Sequence, residues 1–184
     1  TNIIFNSGEA KFAFEICEDL WVTIPPSSFL ALLGANIIGN LSASNELVSK
    51  YSYRKDLIAS QSARAICSYV YSSSGVYEST TDLLFSGHLL ISENGTILSE
   101  NKRFQRENEI VTAIIDLDRL SSERRRNLSF RDNIALFSSP ITEVTFTFTN
   151  QEIGEFNRYI PKHPFVPSDE DTRQERCEEI LNIQ

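Results

Sequence analysis

Residues 11–17, Lys-Phe-Ala-Phe-Glu-Ile-Cys, alternate strictly, and the pattern stops at Glu18-Asp19-Leu20-Trp21. Phe12, Phe14 and Ile16 fall on one face, Ala13, Glu15 and Cys17 on the other, which is the period of a strand. The period then switches. Pro25-Pro26 and Ser27-Ser28 lead into a short helix through Leu33, with Ser27 or Ser28 as its cap and Gly34 as its stop. Residues 35–41 return to a strand, 42–45 turn, and 52–67 fit a helix with Ile58, Ser62, Ala65 and Ile66 on one side. Tyr69-Val70-Tyr71 is the next strand. Such alternation points to α/β layers rather than an all-β sandwich.

The rest of the chain is less regular. Residues 1–5 are strand-like. Residues 88–92 and 96–99 flank Asn94-Gly95, the dipeptide that two-residue hairpins favour. Residues 110–117 read as a strand and 118–126 as a short helix. Residues 144–149 alternate Val144, Phe146 and Phe148 with threonines, as a strand does. Residues 161–167 hold three prolines and read as an extended connector. Ser168 with an acid three residues later resembles a capping box, so a helix is expected from about Asp169 onward.

Composition limits the function classes. The 184 residues carry 41% hydrophobic and 23% charged residues, enough for one sizeable core. No apolar run reaches membrane-spanning length, and no signal peptide opens the chain, so no membrane partner is expected. The net charge is −8. An acidic chain repels phosphate backbones, which argues against nucleic acid as a partner. Arg124-Arg125-Arg126 is read as the solvated face of a short helix. The absence of methionine suggests a segment internal to a longer protein. Three cysteines without framework spacing suggest reduced thiols and a cytoplasmic location. Two histidines, His88 and His163, with scattered cysteines do not make a zinc site, and no metal is expected.

Cys17 is the sharpest chemical candidate. It stands where a strand ends, the place where α/β enzymes put nucleophiles. N–H groups of the turn that follows favour thiolate, and the Glu18 N–H can face a developing oxyanion. The competing reading is a buried core thiol, which is common for cysteine. Cys67, among Ala63, Ala65 and Ile66, reads as core packing. Cys177 lies on an acidic helix, where neighbouring glutamates disfavour a thiolate. His88 has no spacing that ties it to Cys17, so a Cys–His pair has no support and a Cys–Glu–Lys arrangement is the alternative.

Several stretches together resemble one family. Phe14-Glu15-Ile16-Cys17-Glu18-Asp19-Leu20-Trp21, with Ile24-Pro25-Pro26-Ser27 behind it, resembles the nucleophile motif of nitrilase-superfamily amidases. The similarity is greatest to the glutaminase domain of glutamine-dependent NAD synthetases. Asn40-Leu41-Ser42-Ala43-Ser44-Asn45, Glu78-Ser79-Thr80-Thr81-Asp82-Leu83 and Phe85-Ser86-Gly87-His88 resemble later blocks of that domain. His163-Pro164-Phe165-Val166-Pro167-Ser168 to Cys177-Glu178-Glu179-Ile180 resembles the linker into a synthetase domain.

The resemblance implies a four-layer α-β-β-α nitrilase-type sandwich, incomplete here because its N-terminal part is expected to precede Thr1. It implies a C-terminal portion of a glutaminase domain over 1–160, with 161–184 as linker and first helix toward an ATP-dependent synthetase domain. Cys17 matches the nucleophile of a Cys–Glu–Lys triad. The glutamate and lysine are expected before Thr1, so this segment alone is expected to be inactive. Ser44 and Lys50 match the family's serine and basic residue for glutamine, although lysine lacks the planar fork of arginine. A solvated surface lysine is the competing reading of Lys50. No cofactor is expected in this segment; ATP and magnesium are implied for the synthetase domain. L-glutamine, that domain and further copies of the chain are the implied partners. A stand-alone amidase acting on another amide, or a catalytically silent fragment of the same fold, are the alternatives.

Overall fold

A computed structural model describes residues 2–148, 155, 156, 158–162, 166 and 169–183. The chain divides into two compact units, Thr1–Glu152 and Ile153–Gln184. In the first unit β1 (Ile3–Ser7), β2 (Ala10–Ile16), β3 (Ile37–Ser42), β4 (Ser68–Ser73), β5 (Leu89–Glu93), β6 (Thr96–Glu100) and β7 (Thr142–Thr145) form one sheet. The order is β6-β5-β4-β3-β2-β1-β7. The middle strands β2, β3 and β4 are parallel, with Glu15 opposite Asn40 and Asn40 opposite Tyr71. The hairpins β1–β2 and β5–β6 are antiparallel, and β7 runs parallel to β1.

The parallel strands require crossovers, which α1 (Pro26–Leu32) and α2 (Lys50–Ala65) provide. Both helices cover the sheet face that carries Ala13, Ile38, Tyr69, Tyr71 and Leu90, and they bury Leu30, Ala31, Ile58 and Ala65 against it. The opposite face is apolar and open. Phe14 is 52% exposed, Ile16 65% and Leu41 61%. The rings of Phe5, Phe12, Phe14, Phe146 and Phe148 cluster there. A Cβ at Gly39 would lie 2.6 Å from the Phe14 ring, so glycine lets that ring lie across β3. The expected mixed α/β architecture is therefore present as one helical layer on one sheet.

Of the remaining elements, α3 (Leu117–Arg126) and α4 (Leu128–Leu136) build a second small core, in which Leu120 and Phe130 meet Ile66. In the second unit α5 (Glu170–Ile183) begins where the Asp169 carboxylate accepts the Thr172 N–H at 2.8 Å. All its described side chains are exposed. The expected cap Ser168, the connector prolines Pro164 and Pro167, His163 and Thr149 lie outside the described residues.

Four local expectations need correction. Residues 110–116 form no strand; Ile110 is 88% exposed, and the Asp116 N–H is tied to Glu93 at 2.7 Å while its carboxylate caps α3. The cap of α1 is Pro25, with Pro26 at the first helical position, where a missing N–H costs nothing; Ser27 is buried inside the helix. The strand expected at 144–149 is instead Thr142–Thr145, set by pairing with β1. Arg124 is not on a solvated face. Its guanidinium donates to the carbonyls of Ala35, Ala65 and Ile66 at 2.7–3.0 Å, satisfying backbone acceptors where α1 and α2 end. Burial lowers its pKa.

Candidate active site

β2 ends at Ile16, and Cys17 opens a one-and-a-half-turn 3-10 helix, Cys17–Trp21. The turn is fixed by Asp19, whose carboxylate accepts the Ile16 N–H at 2.8 Å. Cys17 has φ +50°, the left-handed region that non-glycine residues seldom occupy. The next strand, β3, ends at Ser42 and continues as Ala43-Ser44-Asn45 toward Lys50, the first residue of α2. The carboxyl ends of two adjacent parallel strands therefore deliver these residues to one place.

There they line a cavity of about 350 Å³, with Cys17, Glu18, Trp21, Ala43, Ser44, Asn45 and Lys50 as its walls. All four residues singled out from the sequence, Cys17, Glu18, Ser44 and Lys50, meet here. Trp21 and Asn45 are additions that spacing alone does not disclose. Lys50 Nζ lies 5.1 Å from the centre of the Trp21 ring and donates to the Asn45 carbonyl at 2.8 Å and to Asn45 Oδ1 at 3.0 Å. It is a held cation rather than a free surface lysine. Burial lowers its pKa, and the Arg54 guanidinium one turn along adds to this; Glu46, Cys17 and Glu18 oppose both. A lysine at the positive end of a helix is unfavourable on its own account. The pocket wall thus sets a held cation beside a thiol.

The other cysteines do not share this setting. Cys67 is fully buried, and burial pushes its thiol up to about 12. Cys177 is exposed on α5. His88 is buried away from the pocket. Its Nδ1 accepts from Arg54 Nε at 2.9 Å, and its Nε2 meets Glu100 at 3.0 Å. Burial, then the Arg54 charge, brings its pKa down to about 4. Among the described residues no group of three or more His, Cys, Asp or Glu is arranged to hold a metal ion. None of the described helices is long and apolar enough to cross a membrane.

Behind Cys17 lies a polar chain that strand alternation could have flagged, since Glu15 and Asn40 share the helix-covered face with Ala13 and Ile38. Glu15 and Asn40 are 2% and 1% exposed. Glu15 accepts a hydrogen bond from the Tyr69 hydroxyl and takes the Ser27 N–H at 2.7 Å. Asn40 donates to the same hydroxyl at 3.0 Å. Burial, then the Glu15 charge, raises the Tyr69 pKa, so its hydroxyl stays protonated.

No family model matches the chain. Among curated proteins, the glutamine-dependent NAD(+) synthetase of Mycobacterium leprae is 38% identical over 175 residues, which is 92% of this chain and 26% of that protein. The chain thus spans about a quarter of the length of that relative. Among solved structures, the glutamine-dependent NAD+ synthetase of Acinetobacter baumannii superposes with TM-score 0.53 at 26% identity, over 58% of this chain and 20% of the other. A carbon-nitrogen hydrolase from Helicobacter pylori gives TM-score 0.56 at 21% identity, over 68% and 46% of the two chains, and shows a shared fold. In sequence the chain is similar to part of glutamine-dependent NAD synthetases, and in fold it is similar both to them and to carbon-nitrogen hydrolases.

Proposed function

We propose that the Cys17 cavity is a glutaminase site and that the ammonia it releases is used in making NAD. The observation that carries this reading is the meeting of a strand-end thiol, Ser44 and a held lysine around one cavity. A free amino acid offers a carboxylate and an ammonium, so its site needs a cation and polar acceptors. Two of the three Lys50 protons go to Asn45, which leaves one for a substrate carboxylate. Ser44 supplies the hydroxyl that completes the polar wall.

Cys17 Sγ adds to the side-chain carboxamide carbon. The carbonyl oxygen gains charge as the carbon–sulfur bond forms, and the Glu18 N–H, in a first helical turn with no intrahelical acceptor, stabilises it. The thiol proton passes to the nitrogen as the carbon–nitrogen bond breaks, and ammonia leaves. Water then splits the thioester and returns glutamate and the thiol. The glutamate that carries the proton and the lysine that assists the oxyanion are those the family places before the nucleophile, ahead of Thr1. Conversion of deamido-NAD to NAD, with ATP and magnesium, belongs to a synthetase domain beyond residue 184, in a homo-oligomeric cytoplasmic enzyme.

The test is a comparison of nitrogen sources in the full-length protein. Cys17→Ala abolishes glutamine-dependent NAD formation and leaves ammonia-dependent formation working, because only the first needs a nucleophile. Normal glutamine use by Cys17→Ala overturns the reading.

A further inference from the structure

The strained backbone at Cys17 has a dedicated partner. The Asn40 carboxamide meets the Cys17 residue on both sides: Oδ1 accepts the Cys17 N–H at 3.1 Å, and Nδ2 faces the Cys17 carbonyl at 3.4 Å. The last paired residue of β2 is Ile16, opposite Leu41. The side chain of Asn40 therefore continues the ladder by one residue where the main chain has stopped, and Cys17 can leave the strand with φ +50° without an orphaned amide. A left-handed non-glycine residue is strained and persists only where its surroundings over-determine it.

Those surroundings are fixed in turn. The second proton of Asn40 Nδ2 goes to the Tyr69 hydroxyl, that hydroxyl donates to Glu15, and Glu15 holds the Ser27 N–H. Gln61 of α2 closes the chain by donating to Ser27 Oγ and Ser28 Oγ, each at 3.0 Å. Asn40, Tyr69, Glu15, Ser27 and Gln61 are all at most 2% exposed. The polar chain connects both helices and the three parallel strands to the backbone of a single cysteine.

We propose that Asn40 is a positioning residue for the nucleophile: by clasping the N–H and carbonyl of Cys17 it holds the left-handed conformation that turns the thiol into the cavity. The inference rests on the glutaminase reading of that cavity. It has a second consequence. With its own N–H taken by Asn40, Cys17 contributes no oxyanion donor, and the backbone donor is the Glu18 N–H. Tyr69 holds the Asn40 amide in the required flip, because its hydroxyl proton is committed to Glu15 and only the Asn40 NH₂ can face its oxygen.

The full-length protein tests this with Asn40→Ala, Asn40→Asp and Tyr69→Phe, read against Cys17→Ala. Asn40→Ala is expected to lower kcat for glutamine about 10²-fold, the scale of a misplaced reacting group, with KM little changed and ammonia-dependent synthesis retained. Asn40→Asp keeps the acceptor for the Cys17 N–H but replaces the Nδ2 donor with an anion. It is expected to move iodoacetamide alkylation of Cys17, followed on its own peptide, to higher pH. Tyr69→Phe is expected to lower kcat several-fold, and it serves as the mild variant if Asn40→Ala does not fold. If the Asn40 and Tyr69 variants lose thermal stability while kcat and the alkylation profile stay at wild-type values, the role is structural and the inference is overturned. Cys17→Ala separates the two failures. A dead Cys17→Ala beside fully active Asn40 variants overturns only the positioning role, and an active Cys17→Ala overturns the glutaminase reading beneath it.

Discussion

Two buried polar networks flank the cavity, and they are built on different principles. Behind Cys17 the chain Gln61–Ser27–Glu15–Tyr69–Asn40 is made of hydrogen bonds with a single carboxyl group, and each link named has its partner. Behind Lys50 the chain is ionic. Arg54, fully buried, forms an ion pair with Glu46 and donates to His88; His88 meets Glu100, and Glu100 binds Lys55 at 2.7 Å. Arg54 Nη1 is buried with no hydrogen-bond partner. The first network fixes one backbone conformation through hydrogen bonds. The second ties the start of α2 to the β5–β6 edge with charges whose removal is costly and whose balance depends on pH.

The largest effect on folding should therefore come from the ionic side. Arg54→Met removes the buried cation from Glu46, which keeps Ser86 and Arg103, and the donor from His88; breaking a buried pair this way costs roughly 3–5 kcal/mol. Urea denaturation measures it. A loss below 1 kcal/mol would remove the contrast between the two networks.

Acid should expose the same asymmetry. His88 is held down to about 4 by burial and by Arg54, against an ordinary 6.5. Between these values the unfolded chain binds a proton that the folded chain does not, so stability is full above pH 6.5 and falls as pH drops toward 4. Each unit of separation is worth about 1.4 kcal/mol. Burial pushes the Glu46 and Glu100 carboxyls up, but hydrogen bonds from Ser86 and Arg54, and from Lys55, Tyr51 and His88, outweigh it and lower both. Their contribution is present above about pH 4.5 and is lost as pH falls through the lowered values. Replacing His88 with Gln should flatten the pH 4–6.5 limb of a denaturation series.

At the cavity itself, Lys50→Ala should raise the KM for glutamine about tenfold, as loss of about 1.4 kcal/mol of charge-assisted binding implies, and spare the use of ammonia. Unchanged saturation would return Lys50 to the role of a surface lysine. The smallest effect is expected for Tyr69→Phe on stability, about 1 kcal/mol for a hydrogen-bond donor lost beside Glu15.

Much of this was legible because the local signals agreed with the tertiary structure. The alternation of residues 11–17 is β2, the Asn94-Gly95 turn takes two successive positive φ values between β5 and β6, and the helix of 52–67 is α2 begun two residues early. The candidate site was legible because strand-end residues separated by 27 positions, Cys17 and Ser44, converge once β2 and β3 pair in parallel. Other features required partners that no local pattern names. Residues 110–116 have strand propensity but pair with no strand, and Asp116 is taken by Glu93 and the start of α3. Arg124 looks solvated within Arg124-Arg125-Arg126, yet the ends of α1 and α2 present carbonyls that draw it inward. Alternation puts Asn40 on the covered face of its strand, but nothing local says that its amide serves Cys17.

The central claim is that glutamine is attacked by Cys17 in the cavity lined by Ser44 and Lys50. Its most direct test is a glutamine analogue with an electrophilic carbon in place of the amide, applied to the full-length protein and followed by peptide mapping. The expected result is one label, on Cys17, suppressed by excess glutamine and slowed in Lys50→Ala, with Cys67 and Cys177 unmodified. Label on Cys177 or Cys67 in place of Cys17, or labelling of Cys17 that glutamine does not suppress, would contradict the account.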